Sequence, residues 1–219
     1  MNRGRHAPQS PGQAHRPRKR FGQNFLHDRQ VIDRIIDAID PQQTDHILEV
    51  GPGQGALTGQ LIASGARLDS VELDRDLASY LLEYYRHANN FTLHQQDILK
   101  FDIASICSDE RGLRVVGNLP YNISTPVLFH LLANHRLIRD MVFMLQLEVV
   151  QRMGARVGEK NYGRLGLMLQ YYCQVEHLFN VPSAAFTPRP RVSAAHVRLN
   201  PHPQRPVKAP DEKNLARVI

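Results

Sequence analysis

The spacing of apolar residues switches repeatedly between helical and extended along this chain, dividing it into alternating elements. Val31, Ile32, Ile35, Ile36 and Ile39 recur at helical spacing behind Asp28, a residue able to cap the first turn, and Pro41 ends the run. Residues 47–50 form a short apolar run of buried-strand type that leads into Gly51-Pro52-Gly53-Gln54-Gly55. The pattern then predicts a helix over 56–63, a strand over 68–73 and a helix over 76–87. Further strands are predicted at 91–95, 113–118 and 141–145, with helices at 125–133 and 147–156. Such alternation implies an α/β fold with a mostly parallel sheet, covered by helices on both faces. The rhythm breaks near the end. A helix over 163–173 precedes strands over 175–181 and 192–199, and the proline-rich stretch between these strands has no room for a crossover helix. They are therefore expected to pair antiparallel.

Composition narrows the class. The chain has 219 residues, enough for one sizeable core, and no apolar run approaches the roughly 20 residues of a membrane span. Met1 to Arg20 lacks the apolar stretch of a secretory signal. Cys107 and Cys173 lie far apart, and the 11 histidines show no ligand spacing, so the expectation is reduced thiols, no metal and a cytoplasmic location. The net charge is +6, and its placement matters more than its size. No acidic residue precedes Asp28, while Arg3, Arg5, Arg16, Arg18, Lys19 and Arg20 do. Residues 1–17 read as a basic disordered arm, with Arg16, Arg18, Lys19 and Arg20 as contacts for a polyanion. A folded unit over 18–200 and a proline-rich linker over 201–219, with the start of a helical region, complete the organisation.

Ligands of an open parallel sheet bind beyond the carboxyl ends of its strands. Gly51 and Gly53 stand at the end of the first such strand, where glycine permits a tight turn and close approach to a ligand. Glu72, at the end of the second, can take both hydroxyls of a ribose. With Gly51-x-Gly53-x-x-Ala56, these features alone fit NAD and S-adenosylmethionine equally well. Asp97, at the end of the third strand, can accept from the exocyclic amine of adenine, which the NAD reading does not require. At the fourth strand stands Asn118-Leu119-Pro120-Tyr121. The Asn oxygen and a neighbouring backbone carbonyl can accept both N–H groups of a base amine, and the Tyr ring can stack on the base. An enzyme that modifies a base must hold it outside its stack in this way. The ordered set favours S-adenosylmethionine and methyl transfer to an amine.

Several blocks occur in order: 21–26 (Phe-Gly-Gln-Asn-Phe-Leu), 49–58 (Glu-Val-Gly-Pro-Gly-Gln-Gly-Ala-Leu-Thr), 71–74, 118–126, 162–165 (Tyr-Gly-Arg-Leu) and 186–192 (Phe-Thr-Pro-Arg-Pro-Arg-Val). Over roughly 18–200 the chain resembles the ribosomal RNA adenine dimethyltransferase family, and within it the bacterial branch acting on small-subunit RNA. The resemblance implies a Rossmann-like, class I S-adenosylmethionine-dependent methyltransferase that dimethylates N6 of two adjacent adenosines near the 3′ end of that RNA. It implies a cytoplasmic monomer working on an assembling 30S particle, with no membrane partner. It also implies cofactor contacts from Asn24 and Leu26, and from Gly51, Gly53, Glu72, Asp97 and Asn118. Asn118, Leu119 and Pro120 would grip the target amine, Tyr121 would stack on one face of the adenine, and Phe186 on the other. Without the resemblance Phe186 reads as a core aromatic.

Two departures stand out. Ser193-Ala194 replaces the family's usual Asp-Ser, and His196 replaces an aliphatic residue, which puts local contacts of the last strand in question. The small helical C-terminal domain of the family is expected to be largely absent. Within the class, a large-subunit RNA dimethyltransferase of the antibiotic-resistance type shares the first and fourth blocks, but 162–165 and 186–190 favour the small-subunit branch. A DNA adenine methyltransferase is disfavoured by the same blocks. A non-catalytic assembly factor is the alternative from another class, and the intact clamp and cofactor residues argue against it.

Overall fold

Asp28 caps the first helix as its position predicts. In the computed structural model, which describes residues 23–107 and 111–207, its carboxylate accepts from the N–H groups of Gln30 and Val31. Helix α1 (Arg29–Ile39) buries Val31, Ile32, Ile35 and Ile39 on one face. The basic arm over 1–17 and the adjoining Arg18, Lys19 and Arg20 lie outside the described residues, as does the stretch 208–219.

A seven-stranded sheet organises the rest. Its strands are β2 (His46–Val50), β3 (Arg67–Glu72), β4 (Phe91–Gln95), β5 (Leu113–Asn118), β6 (Ile138–Gln146), β7 (Cys173–Val181) and β9 (Ala194–Pro201). The order is β4-β3-β2-β5-β6-β9-β7. Pairing is parallel from β4 through β6, and β9 runs antiparallel to both β6 and β7. The predicted antiparallel ending is present, and β9 is inserted between β6 and the edge strand β7.

The remaining helices are α2 (Thr58–Ala63), α3 (Arg75–Tyr84), α4 (Ser124–Ala133), α5 (Leu147–Met153) and α6 (Arg164–Tyr172). Helices α4, α5 and α6 pack through Val127, Leu131, Val149, Met153, Leu165 and Leu169 on one side of the sheet. Helices α1 and α2 close the other through Ile35, Ile39 and Leu61. Alternate residues of β2 feed the two sides, Leu48 and Val50 the first and Ile47 the second. Four helices are shorter than the periodicity predicts: α2 starts at Thr58, α3 ends at Tyr84, α5 ends at Met153 and α6 spans Arg164–Tyr172.

A second, two-stranded sheet was not predicted. Strand β1 (Phe25–Leu26) pairs antiparallel with β8 (Phe186–Thr187), with Leu26 opposite Phe186. Two-residue strands carry no readable period. This pairing accounts for Phe186, whose side chain is 3 % exposed and belongs to the apolar cluster of Leu26, Val181 and Ala185.

His196 fills the aliphatic position noted above and is buried against Phe179, with ring centroids 5.1 Å apart. Its Nδ1 has no partner among the described residues. Burial, aided by the Arg198 charge, pushes its pKa down to about 3, so the imidazole is neutral and serves as an aromatic packing group.

At the opposite end of the parallel strands from their carboxyl termini, Arg114 is 5 % exposed and ties four segments together. It donates to the Asp140 carboxylate (2.9 Å), to Asp45 Oδ2 (2.8 Å) and to the carbonyls of Ile39 and Asp40. Among the described residues no helix is long and apolar enough to cross a membrane, and no group of His, Cys, Asp and Glu could hold a metal ion. Cys107 and Cys173 form no disulfide among the described residues.

Candidate active site

The carboxyl ends of β2, β3, β4 and β5 surround a cavity of about 360 Å³. Strand β2 delivers the glycine loop. Gly53 adopts φ +59°, and a Cβ there would lie 3.4 Å from the Phe25 ring, so glycine lets the loop and the β1 segment share one wall. Its N–H donates to Glu72 Oε2 at 3.1 Å. The other Glu72 oxygen accepts from the Asp74 N–H at 2.8 Å. Glu72 is thus locked by two backbone donors at the tip of β3. Burial raises its pKa, against the pull of those donors.

Strand β5 reaches the cavity because Gly117 allows it. A Cβ at Gly117 would stand 2.4 Å from the Val50 carbonyl oxygen, a contact no side chain tolerates. Beyond it, the Asn118 amide nitrogen donates to the Asn24 carbonyl at 3.1 Å. That bond fixes the amide plane and leaves the oxygen as the acceptor for a donor in the cavity. The Pro120 carbonyl already accepts from the Ile123 N–H at 3.1 Å, so the Leu119 carbonyl is the better second acceptor. Tyr121 also lines the cavity. Its hydroxyl is buried without a partner among the described residues, and burial raises its pKa, so the phenol stays neutral.

Asp97 lines the cavity from the end of β4 while one oxygen accepts from the Leu99 N–H at 3.0 Å. It is therefore a turn cap as well as a candidate acceptor for an adenine amine. Asn24, Leu26, Gly51, Gly53, Glu72, Asp97 and Asn118 to Tyr121 all line the one cavity. Phe186 does not line it; the β1–β8 pairing turns its ring into the core, as described above. The donor set suits S-adenosylmethionine: a locked carboxylate for ribose, a glycine loop for the amino-acid end, and apolar Leu73 and Ile98 beside Asp97 for an adenine face.

The sequence reading missed two wall residues. Gln23 donates to Asp74 at 3.2 Å and braces the segment before β1. Glu49 is 2 % exposed, and its Oε2 accepts from the hydroxyls of Thr58 (2.8 Å) and Ser70 (3.0 Å). An acid inside a buried strand next to a glycine loop was the available signal. Burial, reinforced by the Glu72 charge and opposed by the two hydroxyls, lifts the Glu49 pKa to about 7.

The folded protein therefore holds this proton more tightly than the unfolded chain. Stability should fall as pH rises from about 4.5 through about 7 and level off above. Glu49→Gln keeps the accepting oxygen and cannot ionise. Between pH 5 and 8 it should gain on the wild type by on the order of 3 kcal/mol in chemical denaturation. Parallel stability profiles for the two proteins would refute the elevated pKa.

Comparison with known proteins follows this geometry closely. The family model described as ribosomal RNA adenine dimethylase matches residues 14–219. A curated relative from Pseudomonas savastanoi pv. phaseolicola, named ribosomal RNA small subunit methyltransferase A, is 58 % identical over 205 residues, covering 94 % of this chain and 76 % of its own. Among solved structures, a dimethyladenosine transferase from Plasmodium falciparum superposes with a TM-score of 0.72 at 30 % identity, covering 81 % of this chain and 63 % of that one. The 23S rRNA methyltransferase ErmE gives a TM-score of 0.75 at 26 % identity, covering 89 % of this chain and 76 % of that one. A Rossmann-like sheet with its antiparallel insertion, a cofactor cavity at the strand ends and a fixed Asn amide beside it agree with that match: the chain belongs to the ribosomal RNA adenine dimethylase family, whose enzymes are S-adenosylmethionine-dependent methyltransferases.

Proposed function

We propose that this chain methylates N6 of two adjacent adenosines near the 3′ end of small-subunit ribosomal RNA, giving N6,N6-dimethyladenosine, and acts as a monomer on an assembling 30S particle. The observation that carries the chemistry is the Asn118 amide, held by the Asn24 carbonyl with its oxygen left for the cavity. The 58 % identity to a small-subunit methyltransferase, against 26 % to ErmE, favours the small-subunit target over the large.

Bound S-adenosylmethionine supplies a methyl group activated on a positively charged sulfur. The chain's own residues prepare the amine. Adenine N6 is a poor nucleophile because its lone pair is delocalised into the ring. Asn118 Oδ1 and the Leu119 carbonyl, accepting its two N–H groups, favour a pyramidal nitrogen with an available lone pair. Neither acceptor is a base, so they act by orientation and directed dipoles. The second methylation loses one N–H donor, which a neutral amide tolerates better than a carboxylate would. Tyr121 serves as the stacking platform. Asn24 and Leu26 hold the cofactor from one wall, and Gly51, Gly53, Glu72 and Asp97 from the others. Arg16 of the arm and the adjoining Arg18, Lys19 and Arg20 add phosphate contacts.

The test is incubation with labelled S-adenosylmethionine and undermethylated small subunits, followed by nucleoside analysis. Labelled dimethyladenosine in two adjacent positions is expected. Tyr121→Ala should cost about 1–3 kcal/mol in target binding through lost stacking. Wild-type rates from Tyr121→Ala would remove the platform role, and label only in large-subunit RNA would move the target.

A further inference from the structure

The two flanks of the cavity carry opposite charge. Residues 67–107, which provide β3, α3, β4 and the adenine side, hold seven carboxylates and four cations. Residues 147–193, which provide α5, α6, β7 and the link into β9, hold six cations and three carboxylates. The cations are Arg152, Arg156, Lys160, Arg164, Arg189 and Arg191, and all six are exposed. Arg152, Arg156, Lys160, Arg189 and Arg191 form no ion pair among the described residues; Arg189 instead donates to the Ser183 hydroxyl at 2.9 Å. Several cations elsewhere are paired: Arg67 with Asp69, Arg139 with Asp45, Arg198 with Glu176.

Packing gathers the basic segments into one flank on the clamp side. Strand β6 pairs with β5 so that Met144 faces Asn118, and α5 begins directly after β6. The Leu147 N–H donates to the Ser193 carbonyl at 3.0 Å, which ties the link bearing Arg189 and Arg191 to the start of α5. A Cβ on Gly166 would stand 2.4 Å from the Arg152 carbonyl, so the last turn of α5 touches the first turn of α6. Two apolar residues project among these charges: Val157 is 82 % exposed and Val192 is 45 % exposed. Unpaired cations with apolar tips between them suit a single strand, whose phosphates take the charge while sugars and bases meet the apolar groups. The acidic flank repels the same strand.

We infer that the flank formed by α5, residues 154–163 and residues 188–193 is the docking surface for the RNA strand that leads into the cavity. This rests on the reading that the target is an RNA adenosine. Approach is then one-sided: the RNA enters across β6 and β9, and the cofactor's adenine end stays on the acidic side, out of its path.

Two double variants test it, Arg156→Gln with Lys160→Gln and Arg189→Gln with Arg191→Gln, against Arg136→Gln at the far end of β6. Binding to an RNA fragment containing the target is measured across a salt series, with cofactor affinity as the folding control. Each lost phosphate contact lowers the slope of log K against log salt by about 0.7–0.9, so each double should flatten it by roughly 1.4–1.8. At low salt each should weaken binding tenfold or more, with cofactor affinity unchanged and Arg136→Gln like the wild type. Wild-type affinity and slope in both doubles, or an equal loss in Arg136→Gln, would overturn the surface. Binding is read without methyl transfer, so an absence of methylation by the wild type would count against the catalytic reading alone.

Discussion

Arg114→Met should remove about 3–5 kcal/mol of folding stability, a large part of the roughly 5–15 kcal/mol that a domain holds. The guanidinium is the shared partner of Asp45 and Asp140 and of two carbonyls at the end of α1. Its removal takes the shared donor from two carboxylates and two carbonyls, and leaves Asp45 with the Gln42 N–H and Arg139. Urea denaturation at pH 7 measures the loss. The pH dependence supplies a second check. Burial opposes the charge on Asp45, but the Gln42 N–H and Arg114 outweigh it and hold the pKa below the usual 3.8. Stability from that depression is present above about pH 4 and disappears as pH falls through the folded value. The gap between wild type and variant should therefore narrow in acid. A midpoint unchanged at pH 7 would show that water replaces the guanidinium without cost.

Glu72→Ala should weaken S-adenosylmethionine binding by about 1.5–3 kcal/mol, the worth of hydrogen bonds to a charged group, or roughly 10- to 150-fold. The carboxylate is held by the Gly53 and Asp74 N–H groups before any ligand arrives, so little of its interaction is spent on ordering it. Glu72→Gln should lie between wild type and Ala, because one oxygen remains as acceptor. Titration calorimetry decides the matter. Equal affinity across the three proteins, or tight NAD binding by the wild type, would show that Glu72 does not hold the cofactor ribose.

Much of the fold was legible because it repeats a period. Helix α1 has five apolar residues at helical spacing behind a capping Asp, and the buried strands are apolar runs stopped by Gly, Asp or Asn. The ligand-facing ends of β2, β3, β4 and β5 were legible for a related reason: in a parallel sheet those ends share one edge, so Gly51, Glu72, Asp97 and Asn118 had to meet. What stayed hidden depends on pairings between distant segments. Strands β1 and β8 are two residues each, and nothing local marks them. Phe186 could be read as a wall aromatic or as core, and only its partner Leu26 decides. Arg114 sits inside an apolar strand, and nothing in its local sequence singles it out. Its role is defined by Asp45, Asp140 and the end of α1, none of them near it in sequence. Glu49 was hidden for the opposite reason, since its strand was read for hydrophobicity alone.

The small sheet between β1 and β8 has a consequence for how the molecule comes into being. A chain leaving a ribosome presents the glycine loop, Glu72, Asp97 and Asn118 long before Phe186 emerges. Until then the segment carrying Asn24 has no strand to lie against, and the Asn118 amide lacks the carbonyl that orients it. The β1 wall of the cavity is thus among the last features to set during synthesis, although most of the lining residues are made early. A growing chain halted before β8 would have nearly every cofactor residue and no closed wall.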